Sequence, residues 1–245
     1  MSEHPEGLLG QGGSGGQSGG HPGGHPGGHP GGHPGGDQGA AAKHAGFQRS
    51  YETGTAPWDI GRPQPAMVEL EVDGDIGHRV LEVGCGRGAL SLYLAEHGHD
   101  VVGVDVAPAA IEAATRMAEE RGLRARFVVA DVLCAAGGGF PDIGPAFDTV
   151  VDVGFFHSLS DGERPQLLVA LDRLLPPGGV YRFLCFSDKV PGEWGPRRIS
   201  EREIRETFTS PDWNVFEVRE SRLETNVEQM REIPAWLVGV ERVAD

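Results

Sequence analysis

The residues best equipped for chemistry lie in one run, Arg79 to Tyr93, R-V-L-E-V-G-C-G-R-G-A-L-S-L-Y. Gly84, Gly86 and Gly88 let the backbone turn tightly and come closer to a ligand than a side chain would permit. Glu82 places a carboxylate two residues before the first of them. Val80, Leu81 and Val83 read as a strand covered on both faces, and Ala89 to Ala95 has helical composition. N–H groups at the start of such a helix have no partner within it and point toward whatever the glycines cradle. The run is therefore the candidate cofactor site.

Spacing alone leaves its ligand open. Gly84, Gly86 and Ala89 also satisfy the dinucleotide fingerprint, with Asp105 at about the ~20-residue offset of a ribose-binding acid. Glu82, however, would repel a pyrophosphate and attract an ammonium or sulfonium group. With its acid followed by G-x-G-x-G, the run resembles the first motif of the class I S-adenosylmethionine-dependent methyltransferases. That resemblance implies a Rossmann-like α/β fold, a doubly wound, mostly parallel seven-stranded sheet of order 3-2-1-4-5-7-6. It also implies S-adenosylmethionine as cofactor, contacted by Glu82, Gly84, Cys85, Gly86 and Gly88. Asp105 with Val106 would take the ribose hydroxyls, Asp131 with Val132 the adenine amino group, and Asp152, at the end of the fourth strand, would be a further cofactor contact.

The elements that must position these residues follow in order. Met67 to Val72 reads as a short helix leading into the first strand. Asp100 to Val106 is a second buried strand, Ala107 to Arg121 a helix, and Arg126 to Ala130 a third strand. Phe147 to Val153 is the fourth. Leu167 to Leu175 is helical, Pro176-Pro177-Gly178-Gly179 breaks it, and Val180 to Phe186 is the fifth strand. Ser187 to Ile199 reads as a loop and Glu201 to Phe208 as a helix. Trp213 to Arg222 and Ala235 to Val243 are two late strands that look like the antiparallel addition of these methyltransferases. The resemblance spans about residues 45 to 243.

Ala45 to Ala66 is broken by Gly54, Pro57, Gly61, Pro63 and Pro65, yet carries Phe47, Tyr51, Trp58 and Ile60, aromatic and apolar groups that need a surface. Its stretch T-A-P-W-D-I-G-R-P-Q-P-A resembles the lid of the thiopurine, thiol and halide methyltransferases, which implies that Trp58 folds over the cofactor. The closest group is thus the small-molecule enzymes for thiopurines, thiols and tellurite resistance.

A sulfonium methyl is already activated, so its transfer is an in-line displacement governed by alignment in a dry pocket. An ionised thiol needs no base, whereas a hydroxyl or protonated amine needs one within hydrogen-bond reach. His157, just after strand four and with an ordinary pKa near neutrality, is the candidate base. Phe155 and Phe156 suit an apolar or aromatic acceptor, and Asp152-Val153-Gly154-Phe155 differs from the N/D-P-P-Y/F stretch of amino-methylating nucleic-acid enzymes. Tyr51 and Trp194 are further candidates for the acceptor pocket, and Arg197 with Arg198 for clamping a substrate carboxylate.

The 245 residues carry a net charge of −15, with 38% hydrophobic and 23% charged residues. This is globular composition for one domain, and the acidic balance disfavours nucleic acid, whose binding depends on neutralising phosphates. No segment reaches 18 apolar residues and the start Met1 to Gly10 lacks a leader pattern, so neither a membrane nor secretion is expected. Cys85, Cys134 and Cys185 stand far apart, which suits reduced thiols in a cytoplasmic protein. Residues 1–43 hold 17 of the 39 glycines and four H-P-G-G repeats with His21, His25, His29 and His33, the composition of a disordered tail ahead of a domain over 44–245. Spaced imidazoles could chelate metal weakly, but no metal site is expected. A small-molecule methyltransferase leads, and a dinucleotide-binding oxidoreductase, a non-catalytic nucleotide-binding module and a protein methyltransferase are the alternatives.

Overall fold

The structure, a computed structural model, describes residues 37–144, 146–192 and 195–243. The strands are β1 (Arg79–Val83), β2 (Asp100–Asp105), β3 (Arg126–Val129), β4 (Thr149–Val153), β5 (Val180–Phe186), β6 (Trp213–Glu224) and β7 (Glu232–Arg242). They form one sheet in the order β3-β2-β1-β4-β5-β7-β6. The first five run parallel, and β7 lies antiparallel between β5 and β6. The expected strand order is the observed one.

Successive strand residues point to opposite faces, so an apolar run such as V-L-E-V can serve two layers at once. On one face Val80, Val101, Val151 and Leu184 meet Met67 and Leu70 of α2 (Pro65–Val72) and Leu90 and Leu94 of α3 (Ala89–Glu96). On the other, Leu81, Val83, Val150 and Phe183 meet Leu167 and Leu171 of α5 (Arg164–Leu174), Ile204 of α6 (Glu201–Thr207) and Phe208 just beyond it. Between β2 and β3, helix α4 (Pro108–Arg121) starts with a proline in its first turn and ends on Gly122 at φ 65°, the left-handed stop that glycine accepts without strain.

The N-terminal part departs from expectation. Residues 37–43 belong by composition to the tail and residues 45–52 to an extended segment, but Asp37–Glu52 form one helix, α1. Ala40 to Lys43 and Gln48 to Arg49 are good helix formers, and the helix docks rather than standing alone. Lys43 Nζ donates to Glu163 at 3.2 Å, and Gln48 Oε1 accepts the Ala109 N–H at 3.1 Å. The H-P-G-G repeats lie outside the described residues. No helix among those described is long and apolar enough to cross a membrane.

Candidate active site

Strand register brings three acids together where an open α/β sheet binds ligands, outside the carboxyl ends of its strands. Asp152 of β4 pairs with Val83, the residue after Glu82, and Val104, also paired with Val83, is followed by Asp105. Among the described residues none of the three has a cationic side chain bonded to it, and burial is the largest influence on each.

Glu82 accepts the Ser91 N–H at 2.9 Å and the Ser91 hydroxyl at 2.5 Å, both on Oε2. Oε1 has no partner among the described residues. Burial pushes its carboxyl up to about 7 against the pull of Ser91. Asp105 accepts the Gly86 N–H and the Ala107 N–H, each at 2.9 Å, one on each oxygen. It thereby ties the glycine turn to the start of α4, and burial raises its pKa while these donors oppose the rise. Asp152 corrects the expectation of a cofactor contact. Fully buried, it accepts from Phe155 N–H at 2.6 Å, Phe156 N–H at 2.8 Å and the Tyr181 hydroxyl at 2.7 Å. With both oxygens engaged it holds the loop after β4, and burial pushes it up to about 7.

The turn itself is left-handed at Gly84, Gly86 and Gly88, with φ 66°, 53° and 76°. Gly86 shows why: a Cβ there would stand 2.5 Å from the Tyr51 hydroxyl oxygen. Tyr51, expected beside the acceptor, instead reaches from α1 over the glycine turn, where burial raises its pKa far above the usual phenol range. Trp58 donates its indole N–H to that oxygen at 2.8 Å and meets Tyr51 and Phe47 edge-on at 6.1 and 5.7 Å. Arg87, inside the glycine run, ties this cover down: its Nη2 donates to the Tyr51 carbonyl at 3.0 Å and its Nε lies 3.5 Å from Asp59 Oδ2. The Pro57 carbonyl accepts from Asn226 N–H at 2.8 Å, so the P-W-D segment is anchored to the β6–β7 connection as well.

The Cys85 N–H bonds the Val104 carbonyl at 3.0 Å, and its thiol, buried against Gly103, donates to the Gly86 carbonyl at 3.6 Å. Val106 is half-buried and Val132 buried. Asp131 caps the 3-10 helix Val132–Gly137 by accepting the Leu133 N–H at 2.9 Å, and its Oδ2 lies 3.7 Å from His44 Nε2 of α1.

The acceptor side needs more correction. The Phe155 Cβ lies 3.4 Å from a Cβ built on Gly84. Phe156 is core: fully buried, it packs tilted against Phe183 at 4.6 Å and stacks with Phe208 at 6.3 Å. His157 is not placed as a base. Its Nδ1 accepts the Phe186 N–H at 3.0 Å, which puts the ring proton on Nε2 and leaves no free lone pair, and burial pushes it down to about 3. Arg197 pairs with Asp161 and Glu203, and Arg198 donates to the carbonyls of Pro196 at 3.1 Å and Gly192 at 2.7 Å. Arg197 is tied to the segment before α5 and to α6, and Arg198 to carbonyls of its own loop, so neither projects as a clamp. Trp194 lies outside the described residues.

Sequence reasoning missed Ser91, Arg87 and Arg164. Ser91 sits one helical turn into α3, nine residues after Glu82, a position readable only once the strand and helix are stacked. Arg87 was visible as the one cation between Gly84 and Gly88. Arg164 opens α5 with its guanidinium 5.0 Å over the Phe156 ring, which spacing alone does not reveal.

An open carboxylate oxygen at Glu82, a second acid at Asp105 and a backbone stripped of side chains fit a cation bearing hydroxyl groups. Comparison with known proteins agrees. Residues 80–179 match the family described as "Methyltransferase domain". The chain is 39% identical over 173 residues to the 2-heptyl-1-hydroxyquinolin-4(1H)-one methyltransferase of Mycobacteroides abscessus, covering 69% of this chain and 74% of that protein. It is 27% identical over 181 residues to a probable thiol methyltransferase of Arabidopsis thaliana, covering 73% and 77%. A solved structure concerned with converting a disulfide bond into a thioacetal group during echinomycin biosynthesis superposes with a TM-score of 0.71 and 32% identity, covering 82% of this chain and 93% of that one. The chain belongs to the class I S-adenosylmethionine-dependent methyltransferases.

Proposed function

We propose that the protein methylates a small molecule, with the cofactor seated on the glycine turn between Glu82 and Asp105. The observation that carries this seat is the pair of desolvated carboxylates flanking the turn with no cation bonded to them among the described residues. When bound, S-adenosylmethionine supplies a methyl carbon already activated for displacement. Glu82 Oε1 would receive the amino group of its methionine part, and the remaining lone pairs of Asp105 the ribose hydroxyls. Backbone at Gly84 and Gly86 gives close approach, and Asp131 with Val132 borders the adenine.

Tyr51 and Trp58 act as a lid. Their rings cover the glycine turn, so the lid must lift to admit the cofactor and then exclude water from the reacting centre. Trp58 keeps 40% of its surface exposed, which leaves an outer face free for such movement. Phe155, against Gly84, is the apolar wall nearest the methyl group. The acceptors named for the relatives, a hydroxyquinolone and a thiol, support a small-molecule acceptor over a polymer. So does the net charge of −15, which opposes long contact with nucleic acid. Three unpaired cysteines suit a cytoplasmic setting.

The test is transfer of a radiolabelled methyl group from S-adenosylmethionine to a panel of heteroaromatic hydroxyl compounds and thiols. Incorporation into at least one, lost in Asp105→Ala, is the expected result. Labelling of added protein or RNA in place of every small acceptor overturns the reading.

A further inference from the structure

The acceptor side of the sheet holds one buried cation whose hydrogen-bonding capacity is unfilled. Arg164, the first residue of α5, has a side chain only 8% exposed. Its Nη1 pairs with Glu203 of α6, but Nε and Nη2 have no hydrogen-bond partner among the described residues. Buried guanidinium N–H groups are rarely left so, because removing them from water without an acceptor is costly.

The surrounding charges do not compensate it. Glu203 is shared with Arg197, and Asp161, which also pairs with Arg197, is 81% exposed and stands 3.9 Å from Arg164 Nη1. Two guanidiniums therefore converge on one half-buried carboxylate and one solvated one. The residue also stands at the ligand-binding end of the sheet. Helix α5 follows β4 and α6 follows β5, so both helices begin at the carboxyl ends of the strands. The Arg164 guanidinium lies over Phe156, the neighbour of the Phe155 that rests against Gly84.

A second, independent observation concerns bases. His157 has its Nδ1 lone pair engaged by the Phe186 N–H, and Asp152 already accepts three hydrogen bonds. Neither stands ready to take a proton from an acceptor. A nucleophile that arrives without its proton needs no base; it needs its charge held.

We propose that Nε and Nη2 of Arg164 form the subsite for the anionic oxygen or sulfur of the methyl acceptor, so that the substrates are molecules that reach the site already ionised. This rests on the methyltransferase reading above. In the transfer the acceptor's anionic atom forms the new bond to the methyl carbon, the sulfonium carbon–sulfur bond breaks with its electron pair going to sulfur, and both products leave uncharged at the reacting atoms. Arg164 would thus bind the acceptor anion more strongly than the methylated product, which favours release.

The probe is 4-nitrobenzenethiolate, with 4-nitrothioanisole as its uncharged methylated counterpart. Both are titrated by calorimetry into the full chain saturated with S-adenosylhomocysteine, and the Arg164 side-chain Nε–H signal is followed by nitrogen-15 NMR. The thiolate should bind and shift that signal, the thioether should not, and Arg164→Met should weaken thiolate binding about tenfold or more while Arg164→Lys recovers part of it. Affinity for S-adenosylhomocysteine should be the same in all three proteins. Equal thiolate affinity in Arg164→Met, an unmoved Nε–H signal, or no thiolate binding by the wild type overturns the subsite. If Arg164→Met does not fold, the wild-type NMR signal decides alone. Failure of the wild type to bind S-adenosylhomocysteine would instead count against the methyltransferase reading.

Discussion

Glu82 offers the sharpest test of how the site recognises a cation. Its carboxyl is pushed up to about 7 by burial, so at pH 7 about half of the cofactor-free molecules carry the proton. An amino group arriving at Oε1 favours the ionised form, and binding should therefore release about half a proton at pH 7, less at pH 8.5 where Glu82 is already ionised. Glu82→Gln keeps an acceptor for Ser91 and removes the charge. It should abolish the proton release and weaken S-adenosylmethionine by the worth of one charge-assisted hydrogen bond, about 1.5–3 kcal/mol or about 10- to 150-fold. Calorimetry at pH 7 in buffers of different ionisation enthalpy measures both quantities in one set of titrations. Wild-type binding with no linked proton, or the same proton count in Glu82→Gln, would refute the reasoning.

Four further outcomes are expected. Asp152, raised to about 7 when folded against about 4 unfolded, contributes stability that is fully present below about pH 4 and lost as pH rises through about 7; the melting temperature of the cofactor-free protein should fall from pH 5 to pH 8, and fall less in Asp152→Asn. His157→Ala leaves the Phe186 N–H without its acceptor and should cost about 1–3 kcal/mol in denaturant unfolding, yet the pH profile of kcat/KM should keep its shape between pH 6 and 9, since the ring titrates near 3. Arg87→Ala cuts the tie between the glycine turn and the lid, so KM for S-adenosylmethionine should rise with little change in melting temperature; unchanged kinetics would show that the Tyr51 and Asp59 contacts are passive. Deleting residues 1–36 should leave cofactor affinity intact, whereas deleting 1–43 removes the first turns of α1 and the Lys43 to Glu163 pair and should weaken it; equal affinity in both would place α1 outside the site.

What could be read from the chain alone divides along a physical line. The sheet was legible because each central parallel strand is buried on both faces and so writes itself as an apolar run, as Val80 to Val83 and Val101 to Val104 do, punctuated by glycine or proline. The glycine turn and Asp105 were legible for the same local reason, since a left-handed backbone demands residues of one type at fixed spacing. Helix α1 was not, because Gly39 and Gly46 lower its propensity and its stability comes from docking through Lys43 and Gln48 to residues more than 60 positions away. The acceptor side was least legible. His157, Asp152, Arg197 and Arg198 are residues of catalytic type, and whether such a side chain faces a ligand or satisfies its own neighbours is decided by partners such as Phe186 N–H, Tyr181 and Glu203 that no spacing rule announces. Arg164 shows the converse, a residue unmarked in sequence whose unfilled N–H groups only the packed structure exposes.

The central claim, a cationic cofactor seated on the turn between Glu82 and Asp105, is tested most directly by calorimetric titration of the wild type and Asp105→Ala with S-adenosylmethionine and with NAD. The account predicts saturable one-site binding of S-adenosylmethionine by the wild type, about a hundredfold weaker binding or more in Asp105→Ala from two lost charge-assisted hydrogen bonds, and no comparable affinity for NAD in either protein. Tight binding of NAD, or an S-adenosylmethionine affinity that Asp105→Ala leaves untouched, would contradict it.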